Sequence, residues 1–247
     1  MKDQFSRTAL LFGKEAVDML ITRRVAVFGI GGVGGHCAEA LCRSGIGALD
    51  LFDGDIVDIT NINRQIIATH KTVGLGKAEA MRERLIDISP QSEITARNLF
   101  YLPETADTVD LSVYDYIVDA VDTVTAKLEL VCRSSALGVP IISSMGAANK
   151  IDPTAFEVAD IYETQICPLA RIMRSELRKR NIKSLKVIYS KEVPVRLYNG
   201  GNIDDAPTAA AGNRSRVTRS IPASNSFVPP VAGFIIAGEV IKDLINR

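Results

Sequence analysis

Within VAVFGIGGVGGHCAEALCRSGIG (residues 25–47), Gly29, Gly31 and Gly34 stand in the G-x-G-x-x-G register, with Gly32 between them. Placed after a strand and before a helix, such a turn offers free backbone N–H groups to an anion. Its first glycine makes the tight bend and the next lets backbone approach the ligand. Asp53 follows at the spacing where an acid accepts hydrogen bonds from ribose hydroxyls. That much suits a dinucleotide, a nucleoside triphosphate, or merely close helix–strand packing. The next residues separate these readings: DGDIVDITNINRQ (residues 53–65) adds Asp55, Asn61, Arg64 and Gln65, and Lys77 opens a further helical segment. A diphosphate is served by a helix end, whereas a triphosphate, with about four negative charges and a pyrophosphate to release, needs Arg and Lys clamps and a metal. Further on, VDAVD carries Asp119 and Asp122. A carboxylate there can hold Mg²⁺ against phosphate oxygens, while a competing role for Asp122 is to cap the helix that starts near Thr125. Together the set favours ATP over NAD.

These residues need a scaffold that brings them to one place. Apolar periodicity predicts helices over residues 8–21, 33–44, 77–88, 125–137, 168–180 and 231–245. RRVAVFGI, ALDLFD, SEITARN, YDYIVDAVD, VPIISSMG and LKVIYS read as strands, and AFEVADIYE (residues 155–163) as an edge strand. Strands alternating with helices imply a Rossmann-like, doubly wound α/β fold, with a mostly parallel sheet, helices on both faces and a C-terminal extension of mixed strands. No linker divides the chain, so one domain over residues 1–247 is expected. Residues 199–226, rich in small and polar types, read as a long loop of the kind that is functional or mobile.

With 29 basic and 29 acidic residues the global charge points to no partner. Residues 171–186 (RIMRSELRKRNIKSLK) are an exception, setting seven basic side chains against Glu176. Arg171, Arg174 and Arg178 fall on one helix face and could follow a polyanion, and Arg214, Arg216 and Arg219 add charge in the loop. Cys37, Cys42, Cys132 and Cys167 form no C-x-x-C pair, which argues against a structural zinc site and a disulfide framework. No apolar run is long enough for a membrane helix, and the N-terminus lacks a signal core, so a cytoplasmic protein is expected.

The motifs GIGGVGG, DGD with TNINRQ, GLGKAEAM, DAVD and the closing FVPPVAGFIIAGEVI resemble the adenylating superfamily of ubiquitin-activating enzymes and the molybdopterin- and thiamine-pathway adenylyltransferases. Within it, RSGIGALDLFDGDIVDITNINRQ, GAANKIDPTAFEVADIYETQICPLARIMRSELRKR and SFVPPVAG are most similar to the tRNA threonylcarbamoyladenosine dehydratases, over essentially the whole chain. The resemblance implies ATP-dependent activation of the carboxylate of a threonylcarbamoyl group on tRNA, followed by ring closure with net loss of water. It implies that Gly29, Gly31, Gly32 and Gly34 surround the nucleotide phosphates, that Asp53 holds the ribose, that Asn61, Arg64 and Lys77 contact the triphosphate, and that Asp122 binds Mg²⁺. Arg7 resembles an arginine that in relatives reaches into a partner subunit's site, which implies a homodimer. A sulfur-transfer protein partner and a structural monovalent cation are left open.

The nearest rival reading is an activator of a ubiquitin-like sulfur carrier. An NAD-dependent oxidoreductase and a catalytically idle scaffold stand further off. Cys167, just before a helix start, is the best placed candidate for a covalent carrier. An intramolecular ring closure needs no carrier thiol, so a packing role is favoured. His36, at the first turn of the glycine-loop helix, reads as structural.

Overall fold

The computed structural model describes residues 3–196 and 222–246. Its elements run α1 (Ser6–Phe12), α2 (Lys14–Leu20), β1 (Arg24–Phe28), α3 (Gly34–Ser44), β2 (Ala48–Phe52), α4 (Lys77–Ile88), β3 (Glu93–Arg97), β4 (Tyr116–Asp119), α5 (Val124–Leu137), β5 (Ile141–Ser144), β6 (Phe156–Asp160), α6 (Pro168–Lys179), β7 (Lys186–Ser190) and α7 (Val228–Ile245). The strands form one sheet in the order β3-β2-β1-β4-β5-β7-β6. All neighbours are parallel except the antiparallel pair β6 and β7. The order follows from burial. β2 and β4 are buried at every position and β1 at all but its first, so they occupy the centre, while β3 and β6 leave residues exposed and lie at the edges.

Alternation along β1 feeds both faces of the sheet. Val25 and Val27 join the core shared with Leu41 of α3, Leu85 of α4 and Ile236 of α7, while Ala26 and Phe28 face the layer that holds Leu130 of α5. A separate cluster seats α6 beside α5, through Met173 and Leu177 against Val187 and Tyr189 and with Leu128 and Val131 of α5.

Register decides where the chemistry can sit. Phe28 pairs with Phe52 on one side and Asp119 on the other, so β1, β2 and β4 end level. The chain builds outward from β1 in both directions, and the turns after these strands emerge side by side at the switch point, where open α/β sheets hold ligands.

Three boundaries differ from the periodicity. Gly13, at φ +91°, splits the first helix in two. β4 is shorter than the apolar run because Asp115 bonds the Arg24 amide and the Arg23 guanidinium instead. α7 begins at Val228, with Pro229 and Pro230 in its first turn, where a missing N–H costs nothing. Of the expected 199–226 loop, only residues 222–226 are among those described.

At the end of β4, Asp119 is fully buried against the equally buried Lys127 of α5. Lys127 Nζ donates to both Asp119 oxygens at 3.1 Å, to Ser143 Oγ at 3.3 Å and to the Ser144 carbonyl at 2.7 Å. Removing one member strands a buried charge. Lys127→Ala should therefore cost about 3–5 kcal/mol in urea unfolding, with the Asp119→Ala/Lys127→Ala double variant costing less than the two single changes combined. A Lys127→Ala protein as stable as the parent would show the pair to be dispensable.

Candidate active site

The turn after β1 is shaped by contacts that exclude side chains. Gly29 has φ +89°, and a Cβ there would lie 2.6 Å from the Ala120 carbonyl oxygen. A Cβ on Gly34 would lie 1.8 Å from the Gly29 carbonyl oxygen, and one on Gly233 of α7 would lie 2.4 Å from that of Val33. These glycines thus let β1, α3, the end of β4 and α7 meet backbone to backbone. Gly31 differs, since its Cβ would approach nothing nearer than Gln65 Nε2 at 4.0 Å. Gly29, Gly31 and Gly32 line a cavity of about 690 Å³ at the carboxyl edge of the sheet, together with Asp53, Asp55, Asn61, Arg64, Gln65, Lys77 and Asp122. His36 accepts its structural role: its Nδ1 lies 2.8 Å from the Gly32 carbonyl, and burial lowers its pKa.

Each polar residue is delivered by a local device. Asp53, just past β2, accepts the Ile30 amide at 2.7 Å and the Asp55 amide at 2.9 Å, tying the second strand end to the glycine turn. Burial raises its carboxyl above the usual range, against the pull of those amides and of Lys77. Asn61 closes a reciprocal capping pair with Asp58, accepting the Asp58 amide through Oδ1. Arg64 is held by the Thr60 carbonyl and by Asn63 Oδ1, at 3.1 and 2.9 Å. Gln65 is buried, and its Oε1 has no hydrogen-bond partner among the described residues. The loop folds back through an Ile56–Gly76 bridge, so that Lys77, buried at the first position of α4, bonds Asp55 Oδ2 at 2.8 Å.

The carboxylates after β4 divide. Asp119 does not reach the cavity, which corrects its expected ligand role, because Lys127 and Ser143 occupy its oxygens on the sheet side. Asp122 lines the cavity and is exposed. It does not cap α5, whose N-cap is Thr123, and among the described residues it accepts only the Thr123 hydroxyl, at 3.2 Å. Among the described residues no group of three or more His, Cys, Asp or Glu could cage a metal. One unpaired carboxylate suits Mg²⁺ shared with phosphate oxygens, since that ion keeps few protein ligands.

Other expected residues lie elsewhere. Arg7, exposed on α1, does not line this cavity. Cys167 is buried in the α6 cluster, and Arg214, Arg216 and Arg219 lie outside the described residues. Sequence reasoning missed Lys127, whose signal was a lone cation among the apolar positions Val124, Leu128 and Val131. It also missed the wall of Leu99, Phe100, Tyr101 and Leu102. Phe100 lies over Gly54, where a Cβ would come within 2.5 Å of the ring.

The glycines make a separable prediction. Gly31→Ala should leave the melting midpoint nearly unchanged, a cost within about 0.5 kcal/mol, yet weaken ATP binding, because the methyl enters the cavity. Gly29→Ala should destabilise the free protein through strain and clash with Ala120. Equal effects of the two changes on melting and on ATP titration would contradict this division.

Comparison with known proteins agrees with the geometry. The ThiF family model matches residues 5–247. The chain is 43% identical over 249 residues to the tRNA threonylcarbamoyladenosine dehydratase of Bacillus subtilis, covering 100% of this chain and 96% of that protein. The crystal structure of the Escherichia coli tRNA N6-threonylcarbamoyladenosine dehydratase in complex with ATP matches with a TM-score of 0.83 and 32% identity, covering 98% of this chain and 94% of that one. The molybdopterin-synthase adenylyltransferase of Salmonella typhimurium is a more distant relative, 32% identical over 151 residues that cover 60% of this chain and 59% of that protein. With a cavity built from the glycine turn, Arg64, Lys77 and a free Asp122, and with relatives matched from end to end, the chain belongs to the ThiF family and, within it, to the tRNA threonylcarbamoyladenosine dehydratases.

Proposed function

We propose that the protein uses ATP to close the threonylcarbamoyl side chain of a modified tRNA adenosine into a ring, acting as one adenylating unit over residues 1–247. The observation that carries this reading is the meeting of an open backbone turn, two cationic side chains and one unpaired carboxylate in a single cavity at the switch point. A carboxylate is a poor electrophile. Its oxygen attacks the α-phosphorus of ATP, pyrophosphate leaves, and an acyl-adenylate results. A nucleophilic atom of the same threonylcarbamoyl group then attacks the acyl carbon, loses its proton to solvent and expels AMP, so that one carboxylate oxygen departs on AMP.

The first half needs no general base, because the nucleophile is already an anion. The chain's own groups then position and neutralise. Backbone N–H groups around Gly31 and Gly32 face the phosphates, and Arg64, Lys77 and the Asn61 amide take the charge that gathers on the leaving pyrophosphate. In the free protein Lys77 rests on Asp55, and the triphosphate competes with that carboxylate for it. Asp53 takes the ribose, and the apolar wall around Phe100 takes the base. Asp122 would hold Mg²⁺, which when bound draws charge from the phosphate oxygens. Burial of Cys167, 2% exposed, favours ring closure without a carrier thiol.

Two copies pair in this reading. Arg7 lies outside its own cavity on a helix that exposes Leu10 and Leu11 at 88% and 76%, a surface that suits a second copy and carries Arg7 toward its site. A cytoplasmic location is consistent with the absence, among the described residues, of a helix long and apolar enough to cross a membrane.

The test is incubation with ATP, Mg²⁺ and tRNA bearing threonylcarbamoyladenosine, following the nucleoside by mass spectrometry and the nucleotide by chromatography. Loss of one water with equimolar AMP is expected. Asp122→Ala and Arg64→Ala should each lower kcat by on the order of 10²-fold. An unchanged nucleoside, with pyrophosphate exchange only when a ubiquitin-like carrier is added, would replace this reading with the carrier-activating one.

A further inference from the structure

The basic segment after the cavity is less uniform than its sequence. Arg174, expected to share a phosphate-following face with Arg171 and Arg178, is turned inward, donating to the Thr164 carbonyl at 2.8 Å and to the Thr164 hydroxyl. Lys179 and Arg180 share Glu176 as their ion-pair partner. Lys186 is taken by Glu239 and Asp243 of α7. Arg171, Arg178 and Lys183 are left exposed, with no ion-pair partner among the described residues.

Two of these three cations border a second groove. It has a volume of about 380 Å³ and is lined by Tyr162, Arg178, Asn181, Ile182 and Lys183, a set without a carboxylate. Arg178 lies over the Tyr162 ring, 5.2 Å from its centroid, and the Tyr162 hydroxyl donates to the Ile182 carbonyl, which holds the ring in place. Asn181, at φ +58°, turns the chain out of α6, and Lys183 follows two residues later in the same lining. A guanidinium over an aromatic ring makes a cation–π pair, and both groups, the guanidinium and the ring, are types that stack on unpaired RNA bases.

Helix α6 links this groove to the active site. Leu169, in its first turn, lines the ATP cavity, and Arg178, in its last, lines the groove. The nine helical rises from Leu169 to Arg178 span about 14 Å, roughly four nucleotides at a 3.4 Å stacked spacing. Arg171 lies between, two turns from Arg178 on the same face.

Resting on the tRNA reading above, we infer that this groove holds one unpaired nucleotide of the substrate tRNA, several positions from the reacting adenosine, its base stacked on the Arg178–Tyr162 pair and its phosphate beside Lys183. Helix α6 then sets the distance between the nucleotide that is gripped and the one that reacts. Binding energy from this remote contact would be the same before and during the reaction, and so would lower KM with little effect on kcat.

The test uses the full-length protein, its Arg178→Ala/Lys183→Ala and Arg178→Lys variants, and an unmodified tRNA transcript titrated by fluorescence anisotropy across a salt series. The double variant should raise Kd on the order of 10-fold and reduce the salt slope by about one. Arg178→Lys should keep the slope but still weaken binding several-fold, because an ammonium does not stack. With the modified tRNA, KM should rise far more than kcat falls. A double variant that binds with the parent's Kd and slope, or an Arg178→Lys protein indistinguishable from the parent, would overturn the inference. If the variants weaken tRNA binding but no protein dehydrates the modified tRNA, the groove stands and the dehydratase reading falls. If dehydration proceeds equally in parent and variants, the groove alone falls.

Discussion

The architecture of the site depends on one contact, the approach of the Gly29 backbone to the Ala120 carbonyl. A side chain at position 29 would place its first carbon 2.6 Å from that oxygen, so the turn after β1 can lie against the turn after β4 only because the side chain is absent. From this contact the rest follows. The Gly29 carbonyl sits where a Gly34 side chain would be, so α3 starts immediately over the turn and directs its N-terminus at the cavity. α7 locks the other side through Gly233 and through Pro229, which would meet a Cβ on Gly32 at 3.1 Å. A rigid anion cradle results, with no side chain intruding where phosphates would lie.

Charge is divided between support and chemistry on the same principle of place. Asp119 and Asp122 lie three residues apart, one as the last residue of β4 and the other in the turn beyond it. The first is fully buried and held by Lys127, fixing the ends of β4 and β5, and the second faces the cavity with only a neighbouring hydroxyl for company. Lys77 stands between these extremes, buried yet bonded to a carboxylate that is itself half in solvent. Gln65, which also lines this cavity, keeps a buried side-chain oxygen without a partner among the described residues.

Much of this was legible in the sequence because the reactive residues sit just past strand ends, where short motifs fix local geometry. Gly29, Asp53, Arg64, Gln65, Lys77 and Asp122 converge because register levels the ends of β1, β2 and β4, and the alternation of strands and helices already implied that sheet. What escaped the sequence depends on where a strand stops and what packs beside it. Asp119 looked like its neighbour Asp122 until one residue of strand pairing turned it toward Lys127. Arg174 looked like part of a solvated cationic face until the Thr164 carbonyl claimed it. The Leu99–Leu102 wall follows an edge strand in irregular chain, where no periodicity announces a ligand surface. Gly13 divides α1 from α2 by a single positive φ that apolar spacing does not register.

In the proposed reaction the cavity activates a carboxylate at the α-phosphorus rather than transferring the γ-phosphoryl group. The arrangement favours this, since the glycine turn and the Arg64 and Lys77 pair are suited to hold a departing pyrophosphate. The most direct measurement labels the threonylcarbamoyl carboxylate with ¹⁸O and follows the label after one turnover with ATP. Attack at the α-phosphorus leaves one ¹⁸O in the released AMP and none in pyrophosphate. Label in inorganic phosphate, with ADP as the nucleotide product, would contradict it.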